Sequence, residues 1–227
     1  DNLVTLRENK PHLWLIGDKT TEIWYDAGGQ YFPFQRLVGT MLQSGCKAKH
    51  SISRFNFAGQ DGLIWFGRSE RGENVILRTR GFNTEVVSTP AFGNEVAIYA
   101  TSADAIGYTY QEDTHEFYVL TFPTADVTWV FDSQSNLLHK RLSYDPYAQQ
   151  FHRHRSNAYM NFAGMRIVGL AWKKTRAAGG TGQPGPLSDE GRALVGVLDR
   201  YKIIHDTSHL AEESFWQLLD VASGPII

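Results

Sequence analysis

The chain has 227 residues, 42% hydrophobic and 13% aromatic, with 22 Lys plus Arg against 24 Asp plus Glu for a net charge of −2. That length is enough to bury a substantial core in one or two domains. Nothing in the balanced charge demands a nucleic-acid or membrane partner. No apolar run approaches the length of a membrane helix, and the single cysteine, Cys46, excludes an intrachain disulfide framework.

In chain order, a strand is predicted at Leu3–Arg7. After the turn Glu8–Pro11 comes a hairpin, HLWLIGDKTTEIWYD (His12–Asp26), and then a fourth strand at Tyr31–Arg36. The order repeats with Ser51–Phe55, the turn Ala58–Asp61, the hairpin GLIWFGRSERGENVILRT (Gly62–Thr79) and Thr84–Ser88. It repeats again with Ala105–Tyr110, the turn Gln111–His115, the hairpin EFYVLTFPTADVTWVFD (Glu116–Asp132) and Leu137–Leu142. Asn157–Phe162 and the turn Ala163–Gly164 begin a further unit. Each hairpin joins two β-branched and aromatic runs through a polar connection. First-strand aromatics at Trp14, Trp65 and Tyr118 step by 51 and 53, and Trp24, Ile76 and Trp129 step by 52 and 53.

Four antiparallel strands per unit at this period make the blade of a β-propeller. One blade cannot bury both faces, whereas stacked neighbours can. About three and a half units fall short of the roughly four that closure usually needs. A missing portion, or a partner's surface, is therefore expected to complete the ring, and the start at Asp1 suggests a fragment. A two-sheet sandwich stays open, because regular strands alone do not separate the two. Trp14, Trp24, Trp65 and Trp129 lie in apolar runs and are expected to fill the spaces between blades. A carbohydrate-binding propeller that stacks sugars on them is the alternative.

From Asp1 to about Val168 the chain resembles the tail-hub, or packaged-DNA stabilisation, protein family of short-tailed bacteriophages. The resemblance rests on WFGRSERGENVILRTRGFNTEVVSTP (Trp65–Pro90), FYVLTFPTADVTWVFD (Phe117–Asp132) and RLSYDPYAQQFHRHRSNAYMNFAGMRIVG (Arg141–Gly169). It implies a ring-forming structural component of the virion tail, synthesised in the host cytoplasm. Its implied partners are other copies in a ring, the portal and adaptor, the needle and the tailspikes, with contact to packaged DNA in the channel. It implies no membrane insertion and no cofactor.

After Gly169 the strand rhythm stops. KKTRAAGGTGQPGP (Lys173–Pro186) has the composition of a loop within a linker over 169–187. It lacks the Gly-Lys-Ser/Thr of a phosphate-binding loop. Ser188 is a good N-cap, with Asp189 and Glu190 in the first turn of a helix that runs to about Tyr201. Ile203 and Ile204 are expected to form a short strand. Glu212–Ala222 is a second helix, stopped by Gly224 and Pro225, and Pro225–Ile227 opens another strand. This alternation is α/β grammar.

From about 169 to 227 the chain resembles a fragment of the zinc-dependent membrane-dipeptidase type of peptidase, a (β/α)8 barrel, with its α/β part at 188–227. The carriers are GGTGQPGPLSDEGRALVGVLDR (Gly179–Arg200) and IIHDTSHLAEESFWQLLDVASGPII (Ile203–Ile227), with Asp206-Thr207-Ser208-His209 matching the Asp-x-Ser-His signature. Under that resemblance His209 contacts substrate, Asp206 accompanies it, and zinc is the cofactor. That family's metal ligands have no counterparts here, so the fragment is expected to be inactive. A junction between two different proteins near Gly169 is the companion reading.

Three further groups invite a chemical role. His205, Asp206 and His209 form a His-Asp-x-x-His cluster, but His205 and Asp206 are expected to point to opposite sides. His152 and His154 in FHRHR share one face of a strand, as a metal pair or as a polar face beside Arg153 and Arg155. Asp113, His115 and Glu116 are expected in a solvated turn, and Cys46 in packing. The resulting expectation is a mainly β, propeller-like structural protein without catalytic residues, with a zinc dipeptidase fragment as the alternative.

Overall fold

The computed structural model describes residues 1–146, 148–162, 165–169, 177–180, 184–208 and 210–227. It divides into two units, Asp1–Arg155 and Ser156–Ile227. This division falls before Gly169, where the sequence changes texture.

The first unit is built from antiparallel sheets. β1 (Leu3–Asn9), β2 (His12–Gly17), β3 (Thr21–Asp26) and β4 (Phe34–Arg36) pair in sequence order as the first sheet. The second contains β5 (Gly45–Cys46), β6 (Ser53–Phe57), β7 (Gln60–Arg68), β8 (Asn74–Arg80) and β9 (Asn83–Val86). β6 pairs with Gln60–Ile64 of β7, and β5 pairs further along with Gly67 and Arg68. After α1 (Pro90–Ala97), β10 (Ile106–Glu112), β11 (His115–Phe122), β12 (Val127–Asp132) and β13 (Leu137–Lys140) pair in order as the third sheet. β14 (Leu142–Asp145) and β15 (Gln150–Arg153) form a hairpin.

Burial along β7 explains the arrangement. Gly62 to Gly67 are buried without interruption, so both faces of this strand are covered. Because side chains alternate, Leu63 and Trp65 pack with Trp14, Ile16 and Ile23 of the first sheet. Ile64 and Phe66 pack on the opposite side with Phe92 of α1 and Tyr118, Phe122 and Phe131 of the third sheet. Register carries the same division onto β8: Trp65 opposes Leu77 in one core and Phe66 opposes Ile76 in the other. The second sheet is thus the middle of a stack of three, which a two-sheet sandwich does not contain. The expected hairpins and fourth strands are present, with ends shifted by a few residues.

Close backbone approaches lock the stack. Tyr118 donates from its hydroxyl to the Ser51 carbonyl at 2.7 Å, and Gly107 N donates to the His50 carbonyl at 2.9 Å. A side chain at Gly107 would put its Cβ 2.3 Å from the Ser51 carbonyl, so only glycine fits there. On the far side of the third sheet, Val119, Thr121, Thr128 and Val130 are also buried. There the β15 segment is tied down, with Arg153 N donating to Asp126 and His154 N donating to Thr128.

α1 was not anticipated. Its signals are Thr89, whose Oγ1 accepts from Phe92 N, and Pro90 at the helix start. The helix inserts Phe92 and Val96 into the core between the second and third sheets.

In the second unit, β16 (Ala158–Phe162) and β17 (Met165–Gly169) form a hairpin, in line with the strand expected at Asn157–Phe162. The turn expected at Ala163–Gly164 lies outside the described residues. α2 (Asp189–Arg200) starts at Ser188, whose Oγ accepts from Gly191 N at 3.0 Å. α3 is Glu212–Val221. Leu187, Val195 and Leu218 make a small core between the helices. The described part of the Gly/Pro-rich stretch is loop whose backbone is anchored. Gly179 N donates to Ser214 Oγ, which donates in turn to the Gly185 carbonyl.

The strand expected at Ile203–Ile204 does not form. A single parallel bridge joins His205 to Ile226. Ile204 instead turns inward and is buried, so its hydrophobicity reports packing and not a strand. One parallel bridge across α3 does not establish a (β/α)8 segment among the described residues.

Candidate functional site

The sequence's chemical candidates are scattered and mostly engaged in packing. His205 is buried, and its Nε2–H donates to Asp199 Oδ1 at 2.6 Å. Asp199 also accepts from Ser223 N, Ser223 Oγ and Gly224 N. The His205 hydrogen bond, reinforced by these donors, holds the Asp199 carboxyl far below the usual carboxylate range. This is a clasp between the end of α2 and the segment after α3. Asp206 is exposed and accepts from Ser208 N at 2.8 Å, so it is separated from the buried His205. The substrate-contact role suggested for His209 lies outside the described residues.

His152 Nδ1 is 2.6 Å from Asp126 Oδ2, which fastens β15 to the β11–β12 turn. Burial, aided by the Arg141 charge, lowers the His154 pKa. Cys46 is buried in the first-to-second sheet core, donates to the Ala48 carbonyl, and has its thiol pKa pushed up by burial. Trp14, Trp65 and Trp129 are core residues. Trp65 satisfies its indole by donating to the Gly45 carbonyl. Trp24 is only partly buried, with Phe32 edge-on to it. Three of the four tryptophans are therefore closed to sugars.

A cleft of about 520 Å³ opens where turns of the second and third sheets meet. The β6–β7 turn contributes Asn56 to Gly59, with Ala58 and Gly59 both at positive φ, 51° and 76°. The β10–β11 turn contributes Gln111 and Asp113 to Glu116, and Ser133 and Gln134 follow β12. Asp113 stays in the turn, at φ 54°, as expected. His115 and Glu116 do not: they begin β11, where pairing with Glu112 and Gln111 draws them toward the sheet.

Glu116 is only 9% exposed and bridges the two sheets. Its Oε1 accepts from Asn56 N at 2.8 Å and its Oε2 accepts from Gln111 Nε2 at 3.4 Å. Burial raises its pKa despite these donors. His115 Nδ1 lies 2.9 Å from both Asp132 oxygens. Burial pushes the Asp132 pKa up, but hydrogen bonds from Ser135, His115 and Gln134 outweigh that and hold it below the usual value. The His115 ring stacks on Phe117, 7° from parallel at 5.6 Å. Among the described residues, no three His, Cys, Asp or Glu side chains are grouped to hold a metal.

A second exposed feature surrounds β4. Tyr31 is 95% exposed and Val38 87%, and Phe32 and Met41 are also exposed.

Stacked four- and five-stranded antiparallel sheets with aromatic cores define a propeller-like, mainly β fold. Comparison with known families agrees: the phage-stabilisation family described as Bacteriophage P22 Gp10, beta-propeller, matches residues 1–176. The chain belongs to that family. No curated protein matches it. Among the described residues, no helix is long and apolar enough to cross a membrane.

Proposed function

We propose that the chain is a structural segment of the virion tail hub of a short-tailed phage, helping to seal the portal channel and hold packaged DNA. The family match over residues 1–176 carries this reading. The stacked cores support it, because blades filled by large aromatic side chains form a stiff body suited to assembly. The exposed aromatic and aliphatic side chains around β4 support an interaction role as well.

In this reading the partners are further copies in a ring, the portal and adaptor, the needle and the tailspikes, with packaged DNA in the channel. Cyclic assembly is the expected symmetry. The protein works without a cofactor, without catalysis and without entering a membrane. The test is DNA retention. Particles made without the protein should package DNA and then release it to added nuclease. Wild-type protein should restore protection, and a core-disrupted variant such as Phe66→Ala should not. Full nuclease protection in particles lacking the protein would overturn the proposal.

A further inference from the structure

The cleft between the second and third sheets has an unusual inventory of hydrogen-bonding groups. His115 spends Nδ1 on Asp132, so its Nε2 edge is the part of the ring left for another contact. Gln111 uses its amide N–H on Glu116, which leaves its Oε1 as an acceptor. Each Glu116 oxygen accepts one protein hydrogen bond and keeps a further lone pair. Asp113 adds an exposed carboxylate at the rim. Asn56 spends an amide N–H on Asp61, another carboxylate beside the cleft.

The cleft is therefore rich in acceptors and negative in charge. Phosphates and nucleic acid are excluded by sign, and no metal-holding group exists among the described residues. An organic cation rich in donors complements this inventory in both sign and hydrogen bonding. Two rings line the cleft, each with one face already covered: Phe57, 37% exposed, under the Arg78 guanidinium, and His115, its side chain 38% exposed, on Phe117. A guanidinium fits this combination: it has five N–H donors, no acceptor, and a plane that stacks on rings. The protein already uses that contact, because the Arg78 guanidinium lies 3.7 Å over the Phe57 ring.

We propose that this cleft is a docking socket for an arginine side chain presented by a neighbouring protein of the assembly. That the arginine comes from a protein neighbour rests on the tail-assembly reading; the chemistry of the socket does not. Glu116, Asp113 and Gln111 receive the guanidinium N–H groups, and the turns of both sheets form its mouth. The docked arginine also bridges the two sheets, through Glu116 held by Asn56 on one side and by Gln111 on the other.

The experiment is an NMR titration of the ¹⁵N-labelled chain with N-acetyl-arginine methylamide, with the citrulline derivative as the neutral isostere. Saturable shifts are expected at Asn56, Asp113, His115, Glu116 and Gln134, with the citrulline derivative at least fivefold weaker. Asp113→Asn should weaken arginine binding severalfold and leave the rest of the spectrum unchanged, because asparagine also tolerates positive φ. Glu116→Gln is the stronger perturbation, used where its spectrum shows a folded protein. Absent shifts at the cleft, equal binding of citrulline, or shifts produced only by a neutral sugar such as maltose would each overturn the proposal. Loss of arginine binding would leave the DNA-retention result standing, and failure of DNA retention would leave the socket standing.

Discussion

Replacing Phe66 by alanine probes the stack at its centre. Phe66 is fully buried, with rings edge-on to Phe92 at 6.1 Å and Phe122 at 5.3 Å. These neighbours come from α1 and from the third sheet, so the cavity opens at a junction of three elements and cannot collapse by moving one side chain. Phe→Ala in such a core costs about 3–5 kcal/mol, and each lost edge-to-face pair accounts for about 0.5–1.5 kcal/mol of cost beyond area. Set against a typical domain stability of about 5–15 kcal/mol, the variant should be folded only marginally or not at all. Urea unfolding followed by near-ultraviolet circular dichroism reads the change. Trp65→Ala should cost a similar amount through the other core, whereas Phe151→Ala, at 65% exposure, should stay within about 0.5 kcal/mol. A Phe66→Ala cost as small as that of Phe151→Ala would refute two-sided packing of the second sheet.

Other expectations follow from single contacts. Asp199 has a depressed pKa in the folded state, so its clasp stabilises above the unfolded value of about 3.9 and is lost as pH falls through the folded value. The protection factors of the Ser223 and Gly224 amides, corrected for intrinsic exchange at each pH, should therefore fall in strong acid, and in Asp199→Ala they should be low already at pH 7. Cys46 should resist a thiol reagent in the native protein and react fully in denaturant, since burial raises its pKa and hides its sulfur. Fast native labelling would contradict its placement. Thr89→Ala removes the cap of α1 and should lower stability by about 1 kcal/mol in the same urea assay.

The blade strands were legible because each writes its own local signal. Trp65 and Phe66 alternate toward opposite cores, and continuous apolar runs such as Leu63–Phe66 mark strands buried on both faces. β5 was not legible, since two residues, Gly45 and Cys46, carry no period. α1 has a good start at Thr89-Pro90, but eight residues are too few for a helical pattern to stand out. Ile203 and Ile204 misled, because a short apolar pair has the same look whether it enters a strand or packs under a helix.

The cleft was harder still. Asn56, the Gln111–Glu116 pair and Gln134 come from three different turns, and no spacing rule joins all three. Glu116 looked like a solvated turn residue because the pairing of β10 with β11 starts earlier than the polar composition suggests. Only the stacking of neighbouring sheets shows that its carboxylate reaches Asn56 N. The His205–Asp199 contact was hidden in the same way, by a clasp formed across the loop after α2.

The most direct test is to locate the chain in intact particles. Glu70 lies exposed in the connection between β7 and β8, and the native thiol at Cys46 is buried. A Glu70→Cys protein assembled into phage can therefore carry a maleimide–gold label at one place. The account predicts gold on the tail, repeated around its axis. Gold absent from particles, or confined to unassembled protein, would contradict it.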